Sequence, residues 1–262
     1  MMDVENKVYI GTVLLEKNRW VKGRPPSFRV SEWIGRFREA GFDGMDLWEN
    51  HAALCGEEEL AKIEAAGFPV AVFNAYAGFE DAEAEVAERE TSARLAARLC
   101  AQGVKFNVGK HPELRATYLR NVREWKARLP AGIRVLCECH PGTILQKPDA
   151  AAAALAEWDD PRVQVIVHAF GATPADLRAW FAALDPAITH VHVQMQDENR
   201  VFRRLERRPA QARETLRILR DEGFRGSFSL EFTEGTAAPE ENMESLFQSA
   251  LADLLFLREN MR

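Results

Sequence analysis

No apolar run in this chain approaches the roughly 20 residues that a membrane-spanning helix needs, so a helical membrane partner is not expected. No basic segment leads into an apolar one within MMDVENKVYIGTVLLEKNRW, and a secretory signal is therefore not expected. Cysteine is scarce: Cys55, Cys100, Cys137 and Cys139 are the only four among 262 residues, and none form a CxxC pair. Reduced thiols in a cytoplasmic protein are the expectation, and a structural zinc knuckle is not. Positive charge is in deficit, with 34 Lys and Arg against 40 Asp and Glu, for a net charge of −6. That global field opposes a polyanion, which argues against nucleic acid as a partner. No GxGxxG follows the first hydrophobic run, so the main signal of a dinucleotide-binding doubly wound sheet is missing. No Pro/Ser-rich linker divides the chain, and one domain over residues 1–262 is expected.

What is present is an ordinary globular balance, 47% hydrophobic and 28% charged. It is enough to build a core without disulfides or a structural metal, and it excludes a disordered chain. A junction recurs along it: a helical segment, a glycine, a hydrophobic residue, then a β-rich run. Gly41, Gly67, Gly103, Gly132 and Gly223 occupy this place, where a glycine closes a helix in the left-handed conformation. Two Asp-Pro junctions, at Asp160-Pro161 and Asp185-Pro186, divide the long interval before the last of them. Eight strands are predicted: Val8–Leu14, Gly44–Trp48, Val70–Asn74, Val104–Asn107, Ile133–Glu138, Val163–His168, Ile188–Val193 and Ser227–Glu231. Helical periodicity lies between them, as in Val30, Trp33, Ile34 and Phe37, and again in Phe247, Ala250, Leu251 and Leu254. Eight strand–helix units in this length predict an α/β fold, a (β/α)8 TIM barrel.

Barrel sites are built at the C-terminal ends of the strands. The fifth to eighth strands end in Glu138, His168, His192 and Glu231, each able to bind a metal. Alternation aims them inward. Phe228, Leu230 and Phe232 share one face of the eighth strand while Ser227, Ser229 and Glu231 share the other. Val163, Val165 and Val167 stand opposite His168 in the same way, and Val135 and Cys137 opposite Glu138. Two carboxylates and two imidazoles can hold one divalent cation with positions open for substrate. His190, on the same strand as His192, reads as a hydrogen-bonded histidine of the barrel interior.

The stretches GFDGMDLWENH, CECHPGT, HVHVQ and SLEFTEG make the chain resemble the xylose isomerase-like barrel superfamily, in particular its sugar phosphate isomerase/epimerase branch. The resemblance implies one divalent cation held by Glu138, the strand-six position, His192 and Glu231. It also implies that Glu138 and Glu231 serve as acid and base on opposite faces of a sugar or sugar-like polyol, and that Arg200 contacts substrate. The sixth strand departs from the family pattern, with His168 where an Asp is usual and Gly171 where a His follows. The Glu2His2 set is softer, which moves the preference from Mg towards Mn, Zn, Co or Fe. His168 is expected to ligate through one ring nitrogen, with the other held by a neighbouring acceptor.

Further expected substrate contacts are His140, Trp48, Glu49 and His51, with a packed aromatic or a solvated loop as the alternative reading for the last three. Lys110 and His111 could bind a phosphate or merely open a helix, and Arg203, Arg204, Arg207 and Arg208 could meet an anion or line a charged surface. The expected function is metal-dependent isomerisation or epimerisation through an enediolate. The alternatives are dehydration of a cyclic polyol or dehydroshikimate-like acid, and a non-catalytic sugar-binding or partner barrel. Self-association into a homo-oligomer is compatible with the sequence.

Overall fold

A computed structural model describes residues 6–261. Eight parallel strands close into a barrel in sequence order: β1 (Val8–Gly11), β2 (Met45–Trp48), β3 (Val70–Asn74), β4 (Gly103–Phe106), β5 (Arg134–Glu138), β6 (Val163–Val167), β7 (Ile188–Val193) and, last, β10 (Ser227–Leu230). The ring is sealed by β1 beside β10, with Val8, Tyr9 and Ile10 opposite Phe228, Ser229 and Leu230. β8 (Met195–Gln196) and β9 (Phe202–Arg203) form a small antiparallel ribbon outside the barrel, which two-residue strands without periodicity do not announce in sequence.

The first strand is shorter than its hydrophobic run. It stops at Gly11, where a Cβ would stand 2.6 Å from the Leu230 carbonyl oxygen, and the chain turns into a short helix, Thr12–Leu15. Gly41, Gly67 and Gly223 adopt the expected positive φ, at 87°, 59° and 75°. Gly103 does not. It lies within β4, and the left-handed residue at that junction is Cys100, with φ 49°. The periodic run Phe247 to Leu254 falls in the helix Met243–Asn260, opened by the Asn242 side chain accepting the Ser245 N–H.

Alternation divides the core in two. Val135, Cys137, Val163, Val165, Val167, Phe228 and Leu230 pack outward against the helices. Tyr9, Ala71, Val72, Leu136 and Ile166 fill the barrel's interior. Beside Ile166 in the β6–β7 register stands His190, and two residues further along β7 stands His192. Polar side chains thus crowd the C-terminal end of the axis because the same two-residue period that packs the valines outward turns their neighbours inward. All four cysteines are free. No helix of the described residues is long and apolar enough to cross a membrane.

Candidate metal centre

Glu138 ends β5, His192 lies in β7, and His168 and Glu231 directly follow β6 and β10. These four side chains converge, each offering a ligand atom within 4.8 Å of the others. Glu138 Oε1 accepts from His168 Nε2 at 2.8 Å and from His192 Nδ1 at 3.0 Å. Glu231 Oε2 lies 3.4 Å from the same His192 nitrogen and 3.9 Å from His168 Nδ1. One N–H cannot serve both carboxylates, and the buried Glu231 Oε2 is left without a hydrogen bond. An orphaned, buried carboxylate oxygen facing two imidazoles and a second carboxylate is costly as it stands. A divalent cation, with ligand distances of about 2.0–2.2 Å, fits between donors so spaced. The donor set therefore suits a metal.

Other side chains orient these donors. The Asp46 carboxylate on β2 lies 3.5 Å from His192 Nε2, an electrostatic neighbour rather than a hydrogen-bond partner, since that buried nitrogen has none; the opposite ring nitrogen, Nδ1, faces the cluster. The Gln194 amide donates to His168 Nδ1 at 2.5 Å. Glu138 Oε2 is held by Lys105 Nζ and by the Asn107 amide, both at 2.9 Å. Electrostatics follow from these contacts. Burial opposes the charged form of Glu138, but the Lys105 ammonium and the two imidazoles outweigh it and hold its pKa well below the carboxylate range. Burial likewise opposes charge on His192, but Glu231, Asp46 and Glu138 raise its pKa well above that of an ordinary imidazole. His190, equally buried, has both nitrogens satisfied by Ser227 and Ser229 hydroxyls at 2.8 and 2.9 Å, and burial lowers its pKa.

The other expected contacts separate into two groups. His140 is brought edge-on to His168, ring centroids 5.9 Å apart. Both line a cavity of about 660 Å³ together with Gln194, Trp180 and Gln211. The expectation for Glu49 and His51 is corrected. After Trp48 the chain turns at once into the short helix Asn50–Ala53. Glu49 is thereby buried, accepting the Tyr76 N–H, and its burial raises its pKa to about 7. Both nitrogens of His51 are occupied by Thr12 Oγ1 and Glu16 Oε2, each at 2.9 Å. Trp48 is buried edge-on to His51, a packing aromatic rather than a wall of an open site. Arg200 is exposed at the turn of the β8–β9 ribbon, where its N–H donates to Asp197 O. Arg203, Arg204, Arg207 and Arg208 pair with Asp197, Glu206, Glu234 and Glu198, which favours a charged surface over an anion site.

Sequence reasoning missed Asp46, Lys105, Asn107 and Gln194. Alternation could have turned all four inward: Asp46 stands between the outward-packed Met45 and Leu47, Lys105 and Asn107 stand opposite Val104 and Phe106, and Gln194 follows Val193. A second cavity, of about 890 Å³, lies at the opposite end of the barrel, lined by Lys7, Arg134 and Arg225 among others.

The family described as xylose isomerase-like TIM barrel matches residues 34–251. Among solved structures, the chain is similar to the probable 3-DHS dehydratase AsbF of petrobactin synthesis from Bacillus anthracis, at 18% identity. That match covers 96% of this chain and 98% of that one, with TM-score 0.70. The IOLI protein with its zinc atom matches at 14% identity, covering 97% and 99%, with TM-score 0.69. D-psicose 3-epimerase with D-tagatose, from Clostridium cellulolyticum H10, matches at 14%, covering 98% and 99%, with TM-score 0.68. At these identities the likeness is one of fold. No curated protein sequence matches the chain.

Proposed function

We propose, from the premise that this chain belongs to the xylose isomerase-like TIM barrel family, that it is a divalent-metal-dependent enzyme that isomerises or epimerises a sugar or sugar-like polyol. The observation that carries this reading is the orphaned Glu231 Oε2, facing the same point as Glu138, His168 and His192. Those four residues would hold the cation, with Mn, Zn, Co or Fe preferred to Mg by a set that includes two imidazoles. When bound, the metal supplies charge that stabilises an enediolate formed next to a carbonyl.

The protein's own groups do the rest. Glu231, through the carboxylate oxygen that the cation does not take, removes the α-proton of the substrate; returning it to the neighbouring carbon isomerises, whereas inversion at the same carbon needs a second proton-carrying group on the opposite face. His140, on the wall of the cavity beside His168, contacts the substrate. Gln194 and Gln211 on the same wall can donate to and accept from hydroxyl groups, the chemistry an uncharged polyol asks for. Gln194 keeps the His168 imidazole turned to the cluster by its hydrogen bond, and the Asp46 carboxylate favours charge on His192 from 3.5 Å.

The inequality of the two glutamates favours a second reading, loss of water from a cyclic polyol or dehydroshikimate-like acid. Elimination needs one free base, whereas inversion at carbon draws on proton-carrying groups at both faces. The test is incubation of metal-loaded protein with ketoses, ketoinositols and dehydroshikimate in D2O, followed by mass spectrometry. Deuterium gain without loss of water supports isomerisation or epimerisation, and loss of water supports the second reading. Glu231→Gln should lower either turnover by about 10²–10⁴-fold while leaving the fold intact. Undiminished turnover in that variant would overturn the assigned role.

A further inference from the structure

Lysine is almost never fully buried unless it is paired, since its charge and flexible stem are costly to order away from water. Lys105 is nevertheless 2% exposed, on β4 of the barrel. Its ammonium lies 2.9 Å from Glu138 Oε2 and 4.6 Å from the centre of the Tyr76 ring. Asn107, two residues on, donates to the same Glu138 oxygen at 2.9 Å and to the Glu138 carbonyl at 3.2 Å. An ionised carboxylate has about four acceptor sites. On Glu138 all are taken: Oε1 by the two imidazoles, and Oε2 by Lys105 and Asn107.

We infer that Lys105 is a positioning residue for Glu138: with Asn107 it fixes Oε2, so that only Oε1 faces the cation and Glu138 acts as a one-oxygen ligand that takes no proton from substrate. The inference rests on the metal-holding part of the proposed function and divides the labour of the two glutamates. Glu138 is saturated by donors on the side away from the cluster, and Glu231 has the oxygen that no donor holds. Lys105 is also the nearest permanent cation to a site with two buried carboxylates, so it offsets their charge whenever the site is empty. Metal-free protein should therefore lean on Lys105 more than loaded protein does.

The test uses cobalt, whose visible absorption weakens as the number of ligands rises. Protein stripped with chelator is titrated with Co2+ alone, and its melting temperature is measured with and without the metal. Lys105→Met keeps the stem and removes the ammonium. It is expected to lower the melting temperature of the metal-free protein more than that of the loaded one. It should also reduce the intensity of the cobalt band, as the released Oε2 joins Oε1 on the metal. Asn107→Ala, which leaves the lysine in place, should move the band in the same direction by less, and it decides the matter if the lysine variant does not fold.

Bands unchanged from wild type in the variants, with melting temperature lowered equally in both states, would mean that Lys105 only packs the barrel, and would overturn the inference. A wild-type protein that binds no cobalt overturns the metal reading beneath it, which separates the two failures.

Discussion

His190 and His192 are two residues apart on β7, on the same face, with ring centroids 5.5 Å apart, and both are 0% exposed. Burial is identical, yet their chemistry is opposite. His190 sits in a neutral layer, between two serine hydroxyls and stacked on Tyr9 at 6.0 Å. His192 sits among Asp46, Glu138 and Glu231. Desolvation alone would make both imidazoles neutral, as it does His190. The carboxylates reverse that at His192. Partners, not depth, decide what a buried histidine does. The axis changes from packing to chemistry within one strand repeat, about 6.6 Å.

The sharpest way to break the comparison is to exchange each imidazole for an amide. His192→Asn removes one of the four converging donors and leaves three buried carboxylates facing a weaker one. The metal-free variant should lose about 3–5 kcal/mol of stability, the usual result of breaking a buried charge pair. Its Co2+ affinity should fall by more than the roughly 10–100-fold that loss of an outer partner costs. His190→Asn should lose about 1–3 kcal/mol, since its serines lose a partner, and should leave Co2+ affinity at the wild-type value. Calorimetric titration of both variants checks this, and equal losses of affinity would erase the distinction between the layers.

A smaller effect sharpens it through pH, in metal-free protein. His192 has its folded pKa raised above the ordinary value of about 6.5. Above pH ~6.5 the folded state therefore holds a proton that the unfolded chain has lost. This contribution to stability is complete below pH ~6.5 and disappears as pH rises through the folded value. His190 is lowered, so the sign reverses. The folded state refuses a proton that the unfolded chain takes up below pH ~6.5, and stability is lost as pH falls below it. Urea denaturation from pH 5 to 9 should show a descending alkaline limb that vanishes in His192→Asn and on loading with Co2+. Below pH 6.5 the acid limb should flatten in His190→Asn. An alkaline limb that survives removal of His192 would show that its charge is not what the carboxylates sustain.

The convergence of Glu138, His168, His192 and Glu231 was legible in the sequence because strand alternation is a strict period, and valines fix its phase. Val163, Val165 and Val167 leave His168 nowhere to point but inward, and Phe228 and Leu230 do the same for Glu231. The barrel itself was legible from β-rich runs spaced by helix-closing glycines, and the closed order of strands bears this out. The roles of the supporting side chains were not. Alternation turns Lys105 inward, opposite Val104 and Phe106, but the sequence does not name the carboxylate that offsets its charge there, because Glu138 lies 33 positions away. Glu49 and His51 were misread for a different reason. A strand's period carries no information past its end, and the helix Asn50–Ala53 begins two residues beyond Trp48. Their partners Tyr76, Thr12 and Glu16 come from other strand ends, contacts that only the closed ring creates.

The smallest expected effect is at Ser229, which belongs to the neutral layer by its hydrogen bond to His190 Nε2 and is fully buried. It also stands opposite His192 in the β7–β10 register, so it touches the boundary between the layers. Ser229→Ala removes the hydroxyl and leaves one nitrogen of His190 unpaired, at a cost of about 1 kcal/mol, the low end for a buried unpaired group, since one group is stranded here and two in His190→Asn. The methyl that remains fills most of the space, so no large cavity adds to the loss. If the layers are independent, Co2+ affinity and the cobalt spectrum stay at the wild-type values, and only the melting temperature falls. A changed spectrum would instead mean that the orientation of His190 reaches His192 across their edge-to-face contact. The neutral layer would then be part of the metal site's support, and the contrast between the two histidines would be one of degree.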